Sequence, residues 1–207
     1  MERIIPRVVF TILGIPVRNS VISTWIVMAI IVAGVLILRK KAPIVLEMLV
    51  TFTEDLAAGF IKRPTARYVP FLGTLLVFIA VANLIGVVPL MFTPTRDINT
   101  PLALALVVFF AVFVFAVKAK GGIGFIKGFL TPLVPLDLIG YFSRTMSLTL
   151  RLFGNVIGGE IVVAVLFSLI PIGIPLVMVV LSSITGILQA YVFTVLAASY
   201  IATIVDN

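Results

Sequence analysis

The 207-residue chain is 62% hydrophobic and only 11% charged, with a mean hydropathy of +1.32; a soluble domain is about 45–50% apolar and about 25% charged, so lipid must be its main solvent. The net charge of +7, from 15 Lys and Arg against 8 Asp and Glu, belongs in a chain this apolar to short loops on the cytoplasmic side of membrane helices rather than to nucleic-acid binding. With no Cys and no His, disulfides, thiolate chemistry, His-ligated haem and most zinc sites are excluded and no metal or cofactor is expected, so any proton traffic falls to carboxylates, Tyr, water and Arg as a fixed charge.

Residues 1–19 read as an outer, interfacial segment. Arg3, Pro6, Arg7 and Pro16 interrupt its apolar content. It lacks the apolar core and small-residue cleavage site of a signal peptide, and a helix lying in the membrane interface is expected. The first span is 20–38, about the 20 residues a crossing needs, closed by Arg39, Lys40 and Lys41. Pro43 opens 43–61, which Glu47, Glu54 and Asp55 interrupt and Lys62 and Arg63 close. That pattern suits an amphipathic helix on the membrane surface; a solvated connector is the plainer alternative. The second span, 68–91, contains Asn83, Gly86 and Pro89. A polar loop, 92–98, leads to Thr100 as N-cap and Pro101 at the first helical position of a third span, 101–117. Lys118, Lys120 and Lys127 dominate the next loop, with Gly121, Gly122 and Gly124 loosening it.

Two long apolar runs remain, 138–170 and 172–205, split by Pro171, Gly173 and Pro175. As helices each would be about 50 Å long, against a hydrocarbon core of about 30 Å. Strong tilt, kinking or local water exposure must absorb the excess, and a slanted helical hairpin is expected. The whole chain, 1–207, thus reads as one all-α integral membrane domain. It has about five membrane helices plus one amphipathic helix on the cytoplasmic face. The clusters 39–41, 62–67 and 118–127 hold nine of the fifteen basic residues and fall on one side of the spans. Loop charge makes that side cytoplasmic, with the N-terminus outside and the C-terminus inside. Arg3, Arg7 and Arg18 fall outside and run against this assignment. No internal repeat marks an inverted-repeat transporter.

Within 138–205 only Arg144, Arg151 and Glu160 are charged. A charge inside the membrane costs about 2.5–3.5 kcal/mol on the insertion scale, so each needs a reason. Arg144, near the cytoplasmic end, can snorkel to the headgroups. Seven residues make almost two full turns of a helix, so Arg144, Ser147, Arg151 and Asn155 share one face. Arg stays protonated; Arg151 is a permanent cation suited to attract a partner's carboxylate without exchanging protons. A structural ion pair is the plainer reading, with Glu160 as the nearby candidate. Nine steps of 100°, however, put Glu160 on about the opposite face and about 13 Å along the axis. One helix therefore presents a fixed cation to one side and a titratable acid to the other. Burial disfavours the charged form of a carboxylate, which suits Glu160 to an ion or proton relay; structural hydrogen bonding is the alternative. Ser182, Thr185 and Gln189 share a face of the last helix. Gln189 is expected opposite Arg151, while ordinary helix packing would serve Ser182 and Thr185 equally well.

The segment Ser147-Leu-Thr-Leu-Arg151-Leu-Phe-Gly-Asn155-Val-Ile-Gly-Gly-Glu160 closely resembles the signature of subunit a of F-type ATP synthases. Asn83-Leu-Ile-Gly86-Val-Val-Pro89, Pro94-Thr-Arg-Asp97-Ile-Asn99 and Leu188-Gln189-Ala190-Tyr191-Val192-Phe193 resemble other parts of the same family. The likeness covers roughly residues 20–205. It implies a stator subunit in the bacterial plasma membrane, partnered by a rotating c-subunit ring and the peripheral stalk subunit b. By that likeness Arg151 faces the ring's carboxylate, and Asn155, Glu160 and Gln189 belong to the path through two half-channels; Ser147 and Ser182 are expected on the same path. Asp97 and Asn99 would stand near the outer entrance. Many proton-driven members pair the acid matching Glu160 with a His, which this chain lacks; Ser182 is the aligned position. Water could bridge there, or the ion could be sodium. No nucleotide is expected to bind directly, because no Gly-x-x-x-x-Gly-Lys loop is present. An independent antiporter carried by Glu160 and a non-conducting scaffold are the readings from other classes. The missing repeat weighs against the first and the buried Arg151 against the second.

Overall fold

The computed structural model describes residues 8–12, 15–88, 91–121, 134–169 and 173–205. Strands β1 (Val8–Ile12) and β2 (Ile15–Arg18) pair antiparallel. Helices α1 (Asn19–Lys41), α2 (Pro43–Ala58), α3 (Val69–Leu84), α4 (Asn99–Lys120), α5 (Val134–Leu169) and α6 (Ile174–Val205) follow. Five of these helices are long and apolar enough to cross a membrane, and α2 is the extra helix between the first two.

The hairpin corrects the interfacial helix expected at the N-terminus. Val8, Val9, Thr11, Ile12, Ile15 and Val17 are β-branched and fit a pleated ribbon, while Pro16 would break a helix interior. Residues 1–7 lie outside the described residues.

The second span is shorter than its apolar run. The α-helix stops at Leu84, tightens into a 3₁₀ turn at Ile85–Val87, and leaves Val88 extended at φ −75°, ψ 122°. That conformation is the one a residue before proline favours, and Pro89 comes next in the sequence. Thr100 is not the N-cap of α4. The helix starts two residues earlier than expected, at Asn99, and Asp97 provides the capping oxygens. Its Oδ1 accepts the Asn99 N–H at 3.2 Å and its carbonyl the Thr100 N–H at 3.0 Å. α4 ends on Gly121 at φ +77°, a left-handed conformation that glycine adopts without steric penalty. Lys127 and Pro171 lie outside the described residues.

The core forms where α3, α4, α5 and α6 meet. Leu72, Leu75, Leu76 and Ile79 of α3 are buried at helical spacing against Ala105, Val108, Val112 and Ala116 of α4, Leu148 and Leu152 of α5, and Ala190, Phe193, Ala197 and Ile201 of α6. Alanine recurs because helices in lipid associate by close packing rather than by hydrophobic exclusion. α1 stands at the edge, touching α3 through Val27 against Ala82 and Ile85. Two polar ties fix the ends. Arg63 Nη1 donates to the Ala119 carbonyl at 3.0 Å, joining two of the basic clusters. At the opposite end Arg18 and Asp97 pair at 3.4 Å. With 36 and 32 residues, α5 and α6 run about 54 and 48 Å, more than one and a half times the hydrocarbon thickness.

Candidate functional site

The 100° step of α5 sends its polar side chains to different surroundings. Arg151 is exposed on the outer wall of the bundle. Among the described residues its one hydrogen bond goes from Nη2 to Ser147 Oγ, at 3.4 Å. The wall around it is apolar: Leu150, Ile161 and Val165 of α5 and Ile184, Leu188 and Tyr191 of α6 are all exposed. Among the described residues no carboxylate pairs with this guanidinium. Gly154 and Gly158 are exposed on the same stripe, and a Cβ built on either meets nothing within 4 Å.

Glu160 turns the other way. Its Oε2 lies 3.1 Å from Nε of Arg96, and the two side chains are 32% and 13% exposed. The pair stands in a cavity of about 520 Å³ between the 91–98 loop, α3, α5 and α6. Asn83, Thr93, Asn155, Ser182 and Ser183 add neutral polar groups to its lining. Asn155 reaches toward α6, its Nδ2 3.5 Å from the Thr185 carbonyl. The cavity therefore runs from the loop to one helical turn short of Arg151. The helices close over it through small residues: a Cβ on Gly159 would come 3.1 Å from Ser182 Oγ, and one on Gly186 3.0 Å from Asn83 Cβ.

Other expected site residues lie elsewhere. Asp97 does not line this cavity. It is 4% exposed, and its carboxylate accepts Ser20 Oγ at 2.9 Å, Arg18 Nη1 at 3.4 Å and Asn99 Nδ2 at 2.9 Å. Asp97 and Asn99 thus bind the β2–α1 junction to the start of α4, directly beside Arg96, which lines the cavity. Gln189 is buried at 9%, and its Nε2 has no hydrogen-bond partner among the described residues. No hydrogen bond joins it to Arg151 among them. Thr185 is exposed on α6. Arg144 does not extend freely to the headgroups. Its guanidinium lies 5.5 Å from the Tyr141 ring centroid and 5.3 Å from that of Tyr200, held by the negative ring faces.

Arg96 is the residue that sequence reasoning missed, since a single Arg in a short polar loop reads as a solvated charge. The available signal was its position: an Arg in the loop opposite the three basic clusters, beside two helices each carrying a buried polar group.

Membrane-length helices around a cavity holding an ion pair, with a second fixed cation on the outer wall, define a multi-pass membrane protein. A model of the family described as ATP synthase A chain matches residues 21–202. ATP synthase subunit a 2 of Acaryochloris marina is 39% identical over 195 residues, covering 88% of this chain and 83% of that one. ATP synthase subunit a of Moorella thermoacetica is 36% identical across the whole of both chains. ATP synthase subunit a 2 of a Bradyrhizobium species is 35% identical over 96% of this chain and 93% of its own. The chain belongs to the ATP synthase A chain family. It is a membrane component of that complex, not a catalytic subunit on its own, and its family works in ion translocation together with the rest of the F0 sector.

Proposed function

We propose that this subunit passes protons through two half-channels against a ring of c subunits, coupling their flow to ATP synthesis or hydrolysis. The observation that carries the reading is the separation on α5. A cavity holding Glu160 and Asn155 ends one turn from Arg151, and Arg151 lies on the opposite, outward face. A proton entering beside Glu160 travels along the Asn155 and Ser182 side of the cavity toward the ring's carboxylate. Arg151, which does not lose its charge, meets that carboxylate in its ionised form and blocks direct passage to the other half-channel. Gln189 and Ser147 flank Arg151 on the two helices and complete the boundary.

Orientation follows from charge. The end with Arg39, Lys40, Lys41, Arg63 and Lys118 faces the cytoplasm, and the loop bearing Arg96, Asp97 and Asn99 faces outward. The location is the bacterial plasma membrane. The exposed apolar wall of α5 and α6 is the ring's side, and the stalk subunit b docks elsewhere on the bundle. The decisive variant is Arg151→Ala in the reconstituted complex. ATP-driven pumping should fall to background while the complex still copurifies with the c-ring; normal coupled pumping ends the proposal. Sodium uptake that persists with an uncoupler present would replace the proton with sodium.

A further inference from the structure

Arg96 and Glu160 are the only charged side chains among the described residues lining the cavity. Besides Arg96, the polar groups that the other elements bring to the cavity lining are neutral: Asn83 on α3, Thr93 in the loop, Ser182 and Ser183 on α6. A lone carboxylate in such a cavity would hold a passing cation tightly, whereas conduction requires ions to leave as readily as they arrive. The Arg96 guanidinium is permanently charged and stands 3.1 Å away.

The loop that carries Arg96 is built to keep it there. On one side Thr95 is fully buried, and its Oγ donates to Asn83 Oδ1 at 2.8 Å. Asn83 in turn donates from Nδ2 to the Gly186 carbonyl at 2.9 Å, so the loop is tied through α3 to α6. On the other side Asp97 is held by Ser20, Arg18 and Asn99. Thr93 is buried against Gly86, where any Cβ would collide with its hydroxyl. The guanidinium also lies 5.9 Å from the Phe92 ring centroid. With both neighbours pinned, the entropy of ordering Arg96 is met before the pair forms.

We propose that Arg96 is a positioning residue of the ion path: a fixed counter-charge, seated by the 93–97 loop, that orients the Glu160 carboxylate in the cavity and keeps it from trapping cations. This rests on the ion-path reading above.

The test is a double-mutant cycle in the assembled complex, read as ATP-driven pumping in inverted vesicles, with copurification of the c-ring as the check on assembly. Arg96→Gln should slow pumping about tenfold or more, the scale expected when one member of a partly buried charge pair is removed. Arg96→Lys, which keeps the charge, should recover most of the rate. Arg96→Gln combined with Glu160→Gln should pump no worse than Glu160→Gln alone, because the partner's charge has gone too. Effects that multiply, or a Lys variant as slow as the Gln variant, overturn the proposal and leave Arg96 a structural residue. If Arg96→Gln fails to assemble, the proposal requires Glu160→Gln to restore assembly, and continued failure also overturns it. The underlying reading is tested apart, by Arg151→Ala. Loss of pumping there with no effect of Arg96→Gln sinks only this inference; normal pumping there sinks the reading beneath it.

Discussion

A side chain added at Gly159 would come 3.1 Å from the Ser182 hydroxyl, and one added at Gly186 would come 3.0 Å from Asn83. Added at Gly154 or Gly158, it would meet nothing within 4 Å. All four glycines are in long helices, where each costs about 1 kcal/mol relative to alanine. On the inward face of the hairpin the chain's own packing accounts for that cost, since α3, α5 and α6 could not otherwise close round the cavity. On the outward face nothing in the chain accounts for it. The missing side chains there flank Arg151, and the space they leave suits a surface that another helix approaches closely. The inward face is thus solved within one chain, and the outward face, on the function proposed above, is half of an interface.

Bulk on the outward face separates the two most sharply. Gly158→Leu should leave helix content, membrane insertion and copurification with the c-ring intact. Pumping should nevertheless fall about 100-fold, the scale on which a misplacement of about 1 Å acts in a positioned site. Normal pumping by this variant would mean that the face meets only lipid, and the contrast would dissolve. Bulk on the inward face acts first on stability. Gly186→Ala drives a methyl against Asn83, and overpacking of this kind costs about 1–3 kcal/mol. Thermal unfolding of the detergent-solubilised complex should shift down accordingly. An unchanged midpoint would show that α3 and α6 yield easily, and that glycine is not needed there for packing.

The same contrast decides what could be read from the chain. The spans were legible because apolar length is a property of one segment, and the opposed directions of Arg151 and Glu160 followed from the 100° step alone. The identity of the partner of Glu160 was not legible. Arg96 is 64 positions away in the sequence, in a loop whose polar composition is that of any connector; the bonds of Thr95 and Asp97 on either side help to bring it over the cavity. Asp97 was placed near the outer entrance by the resemblance to its family. Its burial depends on Ser20 and Arg18, contributed by a distant segment. At the N-terminus, apolar content was taken for helix, when β-branching and Pro16 favoured the hairpin. Where a side chain's role lies within its own element the sequence discloses it, and where the role comes from a remote element it does not.

The smallest expected effect lies on the inward face, at Thr95. Thr95→Val keeps the shape and removes one hydroxyl, so that Asn83 Oδ1 loses its 2.8 Å donor. A hydrogen bond of this kind contributes about 0.5–1.5 kcal/mol, and the unfolding midpoint should fall by a correspondingly small amount. The Asn83 bond to the Gly186 carbonyl is left in place, so the contact between α3 and α6 should survive. What loosens is the loop, and with it the seat of Arg96. Pumping should therefore slow a few-fold, less than in Arg96→Gln, and in step with the loss of stability. Gly158→Leu is expected to break that proportion, losing activity at constant stability. If Thr95→Val instead lost activity as completely as Gly158→Leu, stability and transport would be inseparable on the inward face too. The loop would then belong to the conducting machinery itself, and not merely to the scaffold that aims it.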